Sequence, residues 1–338
     1  MPDNWIAIDK SNFAHEREAL DFVRKQFPTH EPYKAWSNFE FIASDGSINE
    51  VDLLVFSPQG FFLIEIKSWP GRVSGDAGTW IVDFPDGRRR TYDNPLKLTN
   101  FKAKRLKGLL NQQRAFKGKK GVPFMDPLVF LSAERLTVDL PLAARTKLCL
   151  RDTQTRPGVM AAITRRECEG LRPLNGAYGN PYNRPISNLV GQAMEQAGVR
   201  PSKKSRRVGD CLLEKIIDQG PGYQDWAATH AQLVQTKRRV RFYLVRQEAS
   251  AEDKAIIERA AKREYQLLES LNHPNILRAY GLNEHELGQA LTLERHPEAL
   301  RLDHYLTQRK EPLSVGMQLD LMRQVAEAIA FAHQQQVN

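Results

Sequence analysis

The chain has 338 residues, of which 41% are hydrophobic and 26% are charged, and its 49 Lys and Arg residues outnumber its 40 Asp and Glu residues. This composition is typical of a folded globular protein and excludes collagen-like, mucin-like and wholly disordered chains. No apolar run is long enough to span a membrane and residues 1–10 lack the apolar stretch of a signal peptide, so we expect a soluble, cytoplasmic protein with no membrane partner.

The first part of the chain alternates between predicted helices and strands. Apolar residues recur every three or four positions before Pro28, which predicts an opening helix that ends there. Two apolar runs joined by Ser-Pro-Gln-Gly at 57–60 then predict a buried β-hairpin. The predicted elements are a helix over 16–27, strands over 51–56, 61–67 and 80–84, a helix from Asn94-Pro95 and a strand over 127–132. This alternation predicts an α/β sandwich.

The pattern weakens after about residue 140 and becomes regular again after a basic segment at 201–207. Beyond that segment, the residue pattern predicts strands over 211–217, 240–245 and 291–294 and helices over 253–271 and 317–333. The length of the chain favours two domains. We therefore predict a domain over 1–140, a connecting region with a basic linker over 141–207, and a second domain over 208–338.

The predicted hairpin carries charges on strands that are otherwise apolar. Strand period two places Glu50 and Asp52 on one face of the first strand, and Glu65 and Lys67 on one face of the second. A two-residue turn would oppose Asp52 to Glu65 and Glu50 to Lys67. A bulge at Gly60 in a three-residue turn would shift the pairing by one residue and separate the two acids.

Two carboxylates about 5 Å apart on an apolar sheet repel each other, and each is costly to bury unless a cation joins them. Mg²⁺ prefers such hard oxygen ligands. The pattern therefore predicts metal-assisted phosphodiester hydrolysis, with Asp52 and Glu65 as metal ligands and Lys67 positioning water and offsetting negative charge. The alternative is an edge-strand ladder of ion pairs formed by the same residues with Glu50.

A second feature is a basic segment, since residues 94–124 contain no acidic residue. Such a segment is typical of a solvated helix face, and its alternative is a footprint for nucleic-acid phosphates. The residues assigned to this footprint are Arg88, Arg89, Arg90, Lys97, Lys102, Lys104, Arg105 and Lys107.

Residues 49–73, Asn-Glu-Val-Asp-Leu-Leu-Val-Phe-Ser-Pro-Gln-Gly-Phe-Phe-Leu-Ile-Glu-Ile-Lys-Ser-Trp-Pro-Gly-Arg-Val, closely resemble the core of the nuclease-related domain (NERD), a branch of the PD-(D/E)xK nuclease superfamily. By this resemblance Asp52 and Glu65 match the family's acidic pair and Lys67 its lysine. Glu16 on the opening helix matches a frequent helical acid that supports the metal or its water.

The resemblance extends over about 12–132, with Glu18 as the fallback for the helical acid. Asn94-Pro95 matches the family's Asn-Pro motif, whereas Leu98 stands where Gln is usual, which puts one polar contact in doubt. The resemblance implies a PD-(D/E)xK-type sheet flanked by helices, Mg²⁺ or Mn²⁺ as the cofactor, and DNA as the partner that is cleaved. The alternative is a DNA-binding or scaffold module with a relic nuclease site.

In the helix predicted over 253–271, Glu264 falls within an apolar stripe. A carboxylate on the buried face of a helix requires a cationic partner, and Arg241 in the strand over 240–245 is the candidate. The alternative is a shifted stripe that leaves Glu264 solvated. The stripe consists of Ile257, Ala260, Leu267 and Leu271.

Residues 263–277, Arg-Glu-Tyr-Gln-Leu-Leu-Glu-Ser-Leu-Asn-His-Pro-Asn-Ile-Leu, resemble the junction of helix C and strand 4 in eukaryotic-type protein kinases. The resemblance implies an α+β N-lobe followed by the start of the C-lobe. Four matches accompany it: Gly220 and Gly222 with the start of the glycine-rich loop, Glu264 with the helix C glutamate, 291–294 with the strand before the hinge, and 325–333 with the helix before the catalytic loop.

This second resemblance has clear departures. Asp225 stands at the third loop glycine, Ala227 at the usual valine and Tyr243 at the strand 3 lysine, although Arg241 on the same strand face is an available cation. The sequence stops before the position of the His-Arg-Asp loop, so we expect no kinase activity and no ATP cofactor from these residues.

Two interpretations of this stop remain open: a fragment of a longer kinase, which we favour, or a natural remnant that is kept as a docking surface. The order of the two domains resembles that of large bacterial proteins of phage-defence systems. This resemblance implies other defence-system proteins as partners.

Overall fold

The structure of the chain is a computed structural model that describes residues 4–11, 13–174, 181–201 and 206–335. It divides into an N-terminal unit, Met1–Ala43 with Ile48–Ser202, and a C-terminal unit, Ser44–Ser47 with Lys203–Asn338. The predicted basic linker lies largely outside the described residues. The predicted bounds of the domains remain a prediction.

The N-terminal unit combines ten strands with five helices and one short 3₁₀ turn among its described residues. In chain order these are β1 (Trp5–Ala7), α1 (Ala14–Gln26), β2 (Lys34–Ile42), β3 (Ile48–Ser57), β4 (Gly60–Lys67), β5 (Gly71–Gly75), β6 (Thr79–Asp83), β7 (Arg89–Asp93), α2 (Pro95–Asn111), the 3₁₀ turn (Arg114–Phe116), β8 (Met125–Leu131), β9 (Leu136–Asp139), α3 (Leu142–Arg145), β10 (Leu148–Cys149), α4 (Val159–Arg165) and α5 (Arg184–Gln196).

A six-stranded mixed sheet in the order β1-β2-β3-β4-β8-β10 is the centre of this unit. Helices α2 and α5 pack on one face of the sheet, where Leu106 and Val190 belong to one apolar cluster. Helices α1 and α4 cover the other face, where Val23 and Ile163 belong to a second cluster. Because both faces are covered, β3 and β4 are near-continuous apolar runs, and the predicted α/β fold with helices flanking a sheet is confirmed.

The β3–β4 hairpin has the register that a two-residue turn predicts. Leu53 pairs with Ile64 and Ser57 pairs with Gly60. A side chain at position 60 would meet Phe62 at 2.6 Å and Arg166 at 2.7 Å, which explains the glycine there. The recorded pairing of β3 with β4 ends at Leu53, so the ladder does not reach the expected opposition of Glu50 and Lys67. On its other side, Glu50 pairs with Glu40 of β2.

Helix α2 begins where the sequence predicts it. The Asn94 side chain accepts a hydrogen bond from the backbone N–H of Leu96 at 2.9 Å, and Pro95 occupies the first helical turn. Both features favour a helix start, because the N–H of Leu96 has an acceptor and proline has no N–H that needs one. This unit also contains a four-stranded sheet in the order β7-β6-β5-β9. Strands β5, β6 and β7 come between β4 and α2 in the chain, and β9 follows β8.

The C-terminal unit contains an antiparallel six-stranded sheet in the order β11-β12-β13-β14-β16-β15, against which one long helix packs. This arrangement confirms the α+β fold predicted for the second part of the chain. In order, the elements are β11 (Arg206–Val208), β12 (Cys211–Gly220), β13 (Tyr223–His230), β14 (Lys237–Tyr243), α6 (Ala251–Ser270), β15 (Ala279–His285), β16 (Gly288–Glu294), α7 (Leu302–Gln308) and α8 (Val315–Gln334). None of the helices in the described ranges is long and apolar enough to cross a membrane.

Candidate functional site

Asp52 and Glu65 lie on adjacent strands just beyond the last recorded pair of the β3–β4 ladder. The Oδ2 atom of Asp52 accepts a hydrogen bond from the backbone N–H of Ile66 at 2.7 Å, which fixes this carboxyl group against β4. Glu65 is only 5% exposed. The sheet therefore brings together the two acids that the sequence predicts as metal ligands.

Two lysines occupy the two oxygens of Glu65. The Nζ atom of Lys67 lies 2.8 Å from Oε1, and the Nζ atom of Lys102 lies 2.7 Å from Oε2. Lys67 extends from the same strand as Glu65, whereas Lys102 reaches it from α2. A buried carboxylate with a charged donor on each oxygen is strongly stabilised in its ionised form.

The position of Lys102 corrects its assignment to the exposed phosphate footprint. Its residue is 8% exposed, and it lies on the buried stripe of α2 with Thr99, Leu106 and Leu110. These residues recur at helical spacing, so the chain carries the signal that Lys102 faces the sheet. Because other lysines and an arginine surround Lys102 in the sequence, this helical pattern is hard to recognise.

The electrostatics of the two acids differ. Burial, and after it the negative charge of Glu65, raises the pKa of Asp52 to about 7, although Lys67 and Lys102 act to lower it. Burial also acts to raise the pKa of Glu65, but Lys102 and Lys67 outweigh it and lower that pKa to about 2. Burial opposes the charge on Lys67, yet Glu65 and Asp52 raise its pKa above the ordinary value. Near neutral pH, Asp52 is thus the acid whose ionisation is incomplete.

Glu16 is the helical acid that acts on this pair. It is half-buried, its carboxylate accepts a hydrogen bond from the Ser11 hydroxyl, and its charge raises the pKa of Asp52. The fallback residue Glu18 is instead 55% exposed in its side chain and forms an ion pair with Arg151. Of these two acids, Glu16 is therefore the one whose charge acts on Asp52.

Within the described parts of the chain, no group of three or more His, Cys, Asp and Glu side chains is arranged to hold a metal ion. Asp52 and Glu65 nevertheless offer two hard oxygen ligands, and Mg²⁺ commonly binds through one or two carboxylates while keeping several waters. Burial first, and then the negative charge of Glu65, raise the pKa of Asp52, and a bound cation would favour its ionised form. The donor set fits Mg²⁺ or Mn²⁺ if the Glu65 oxygens are released from the lysines.

The other residues of the predicted phosphate footprint lie in two places. Lys97 and Lys104 are exposed on α2, Lys107 is half-exposed there, and the guanidinium of Arg105 donates to Asn49 at 3.2 Å. The arginines before α2 differ from these lysines: Arg88 lies 2.6 Å from Asp86, Arg89 lies 3.3 Å from Asp83, and Arg90 is exposed on β7.

In the C-terminal unit, Arg241 and Glu264 come together, with Nη1 and Oε1 3.6 Å apart. The main partner of Arg241 is nevertheless Asp225, whose oxygens lie 2.9 and 3.0 Å from its Nε and Nη2 atoms. Asp225 is fully buried and also binds Arg239. Asp225 and Arg241 are directly opposed on β13 and β14, so strand pairing creates this cluster. In the sequence, Asp225 stands out only because it occupies the position of the third loop glycine, and its role in this cluster was not predicted.

The expectation that Glu264 is buried is wrong, because its side chain is 39% exposed. The predicted apolar stripe of α6 fails at one position, since Ala260 is exposed and its neighbour Ala261 is fully buried, whereas Leu271 is buried as predicted. Burial and the carboxylate of Glu264 raise the pKa of Tyr243, which stands where the resemblance predicts a lysine.

Gly220 and Gly222 lie at the tip of the β12–β13 hairpin. Gly220 pairs with Tyr223 across the turn, and Gly222 has a φ of +80°, which a glycine adopts without strain. The structure thus places both residues in a tight hairpin turn.

Comparison with known proteins identifies two regions of this chain. Residues 11–132 match the nuclease-related domain, and residues 228–337 match the protein tyrosine and serine/threonine kinase family. The chain therefore contains a NERD domain followed by a protein kinase-like domain. The matched kinase region begins within β13, after the turn that carries Gly220 and Gly222.

One bacterial relative shares both regions. The Streptomyces coelicolor protein "Probable kinase PglW" is 35% identical over 337 residues, which cover 99% of this chain and 20% of that protein. The Bacillus subtilis "Serine/threonine-protein kinase PrkC" is 38% identical over 79 residues, which cover 23% of this chain and 12% of that protein. This chain thus spans a fifth or less of the length of each relative.

Among solved structures, the kinase domain of Mycobacterium tuberculosis PknI is 18% identical and covers 40% of this chain and 51% of that domain, with a TM-score of 0.32. Because this score is low, the kinase-like assignment rests on the sequence matches.

Proposed function

We propose that the N-terminal unit is a metal-dependent nuclease that hydrolyses DNA phosphodiesters. The observation that supports this proposal is the partly buried group of Asp52, Glu65, Lys67 and Lys102, in which two acids and two cations meet at one place on the sheet. Groups of this kind can bind a divalent cation and counter the charge of a reacting phosphate.

Each side chain has a separate task in this proposal. Asp52 and Glu65 hold Mg²⁺ or Mn²⁺, which when bound supplies a Lewis acid for the phosphate. Lys67 positions the attacking water and offsets negative charge, while Glu16 supports the metal or its water. Lys102 holds Glu65 ionised and competes with the cation for Oε2, so metal affinity depends on its release.

A cleavage assay tests this proposal. Wild type, Asp52→Asn and Lys67→Met are incubated with plasmid and linear DNA in Mg²⁺, in Mn²⁺ and in EDTA. We expect cleavage by wild type only when a metal ion is present, and a loss of about 100-fold or more in each variant. Glu18→Gln is the matched control, because Glu18 lies on the same helix as Glu16 but is exposed and paired with Arg151.

Equal cleavage by all proteins, or cleavage in EDTA, would refute the catalytic assignment. A second candidate is a DNA-binding scaffold with a relic site, and one observation favours it. Both oxygens of Glu65 already have ammonium partners, so this carboxylate is stable without a metal. Retained DNA binding without metal binding or cleavage would support that candidate.

The biological setting is part of the same proposal. We infer that the protein acts in bacterial phage defence, in the cytoplasm, with other defence-system proteins as partners. This inference is supported by the order of a NERD domain and a kinase-like domain, which the Streptomyces relative shares along nearly the whole of this chain.

A further inference from the structure

Two phenylalanine rings are exposed among the cations of the N-terminal unit. Phe101 on α2 is 55% exposed, and Phe124, just before β8, is 47% exposed. Lys97, Phe101 and Lys104 are spaced four and three residues apart, so they share one face of α2, opposite the stripe that packs on the sheet. An aromatic ring therefore lies between two lysines on the solvent side of this helix.

The surroundings of Phe124 are more unusual. Three cations from three separate segments lie near its ring: Lys107 Nζ is 5.8 Å, Lys147 Nζ 5.7 Å and Arg172 Cζ 5.9 Å from the ring centroid. Single exposed phenylalanines are common on protein surfaces and need no explanation. An exposed ring that is surrounded by three cations combines a flat apolar face with positive charge.

A buried carboxylate fixes this arrangement. Asp126 is 1% exposed, and its two oxygens lie 3.0 Å from Lys147 Nζ and 2.9 Å from Arg166 Nη2. Arg166 in turn donates from Nε to the backbone carbonyl of Arg172 at 2.7 Å. The network therefore holds the Lys147 ammonium group and the backbone at Arg172 in place beside the ring before any ligand binds.

We propose that Phe101, Phe124 and the cations beside them form a track for single-stranded DNA; this proposal rests on the proposed nuclease function of the same unit. Unpaired bases stack on aromatic faces, and the cations contact the adjoining phosphates. Bases inside a duplex cannot reach such rings because they are paired and stacked with each other. The track therefore selects unpaired strands.

The position of the track relates it to the acidic pair. Strand β8 runs parallel to β4, with Met125 beside Phe61 and Val129 beside Glu65. Phe124 lies five residues before Val129, the residue beside Glu65, which corresponds to about 16 Å along the strand. Helix α2 carries Lys107 beside Phe124 and Lys102 on Glu65, so it connects the two places.

Fluorescence anisotropy tests the track with the 338-residue chain in EDTA. The probes are a labelled 20-nucleotide DNA strand and the duplex formed from it. We expect Phe124→Leu and Phe101→Leu each to weaken binding of the single strand by about fivefold or more, with little effect on the duplex. Tyr280→Leu is the matched control, since Tyr280 is an exposed ring 3.8 Å from the guanidinium carbon of Arg238 in the other unit.

Four outcomes would overturn the track: no loss in either phenylalanine variant, an equal loss on duplex, an equal loss in Tyr280→Leu, or tighter binding of RNA than of DNA of the same sequence. Melting temperatures check that the variants fold. If wild type cleaves duplex DNA while Phe101→Leu and Phe124→Leu both bind single strands normally, the track fails and the nuclease function stands. If Phe124→Leu loses single-strand binding but wild type cleaves no DNA, the track stands and the nuclease function fails.

Discussion

At Asp52 the fold holds a carboxyl group that resists ionisation. Burial and the charge of Glu65 raise its pKa from 3.8 to about 7. Between these two values the folded chain keeps a proton that the unfolded chain has lost. Without a metal ion, this group therefore makes the folded state less stable as the pH rises through that window.

The variant Asp52→Asn should remove this pH dependence. Asn keeps an oxygen that can accept the hydrogen bond from Ile66, so the structure requires no rearrangement. Relative to wild type, we expect the variant to gain about 1 kcal/mol or more of stability between pH 5 and pH 8. Urea unfolding in EDTA at both pH values measures this gain. A difference that is constant, or that shrinks as the pH rises, would contradict the raised pKa.

The sequence allows part of this residue-scale picture to be predicted. Strand period two and the short turn are local properties, so the placement of Asp52 near Glu65 follows from the residues themselves. The role of Lys102 depends on which face of α2 packs on the sheet, which is a tertiary property. The role of Asp225 depends on cross-strand pairing with Arg241, which the sequence patterns do not predict.

At the scale of elements, the long and strongly patterned segments are predictable and the others are not. The hairpin, α1, α2 and α6 have strong apolar periodicity and clear end signals. In contrast, β2 mixes apolar residues with a fully buried Glu40, whose partner Arg200 lies far along the chain. Its pattern alone therefore does not mark it as a central strand.

The predicted connecting region contains structural elements as well. Strand β10 joins the edge of the central sheet, and α4 and α5 cover opposite faces of that sheet. Pro185, Asn188 and Gly191 interrupt the apolar residues of α5, and β10 and α4 have only two and seven residues, so the periodicity is weak. Contacts with the sheet stabilise these elements more than local propensity does.

The cluster at Asp225 should contribute more to the C-terminal unit than the pair that joins α6 to the sheet. Asp225→Ala leaves Arg239 and Arg241 without their buried partner, and we expect a loss of about 3 kcal/mol. Glu264→Gln should cost about 1 kcal/mol or less, because its carboxylate is 39% exposed and 3.6 Å from Arg241.

Urea unfolding of the two variants, with hydrogen exchange on β13 and β14 to identify the unit that is affected, tests this ranking. Equal losses in Asp225→Ala and Glu264→Gln would show that the helix–strand pair matters as much as the strand–strand cluster. A larger loss in Glu264→Gln would reverse the ranking.

At the scale of the whole chain, the two family matches follow from short, locally coded motifs, which is why the sequence reveals both domains. The excess of positive charge is less informative in total than in its placement. Lys102 forms an ion pair with Glu65, whereas Lys104 is exposed and Lys107 is half-exposed on the same helix. The three lysines should therefore respond differently when DNA binds.

The salt dependence of duplex binding measures this difference. Each phosphate that a lysine neutralises lowers the slope of log K against log salt by about 0.9. The double variant Lys104→Gln and Lys107→Gln should therefore make the slope shallower by about 1.8, with weaker binding at low salt. Lys102→Met, on the same helix, should leave the slope unchanged because its ammonium group lies 2.7 Å from Glu65 and is buried. An unchanged slope in the double variant would show that the exposed face of α2 is only solvated. A shallower slope in Lys102→Met would show that Lys102 does contact DNA phosphates.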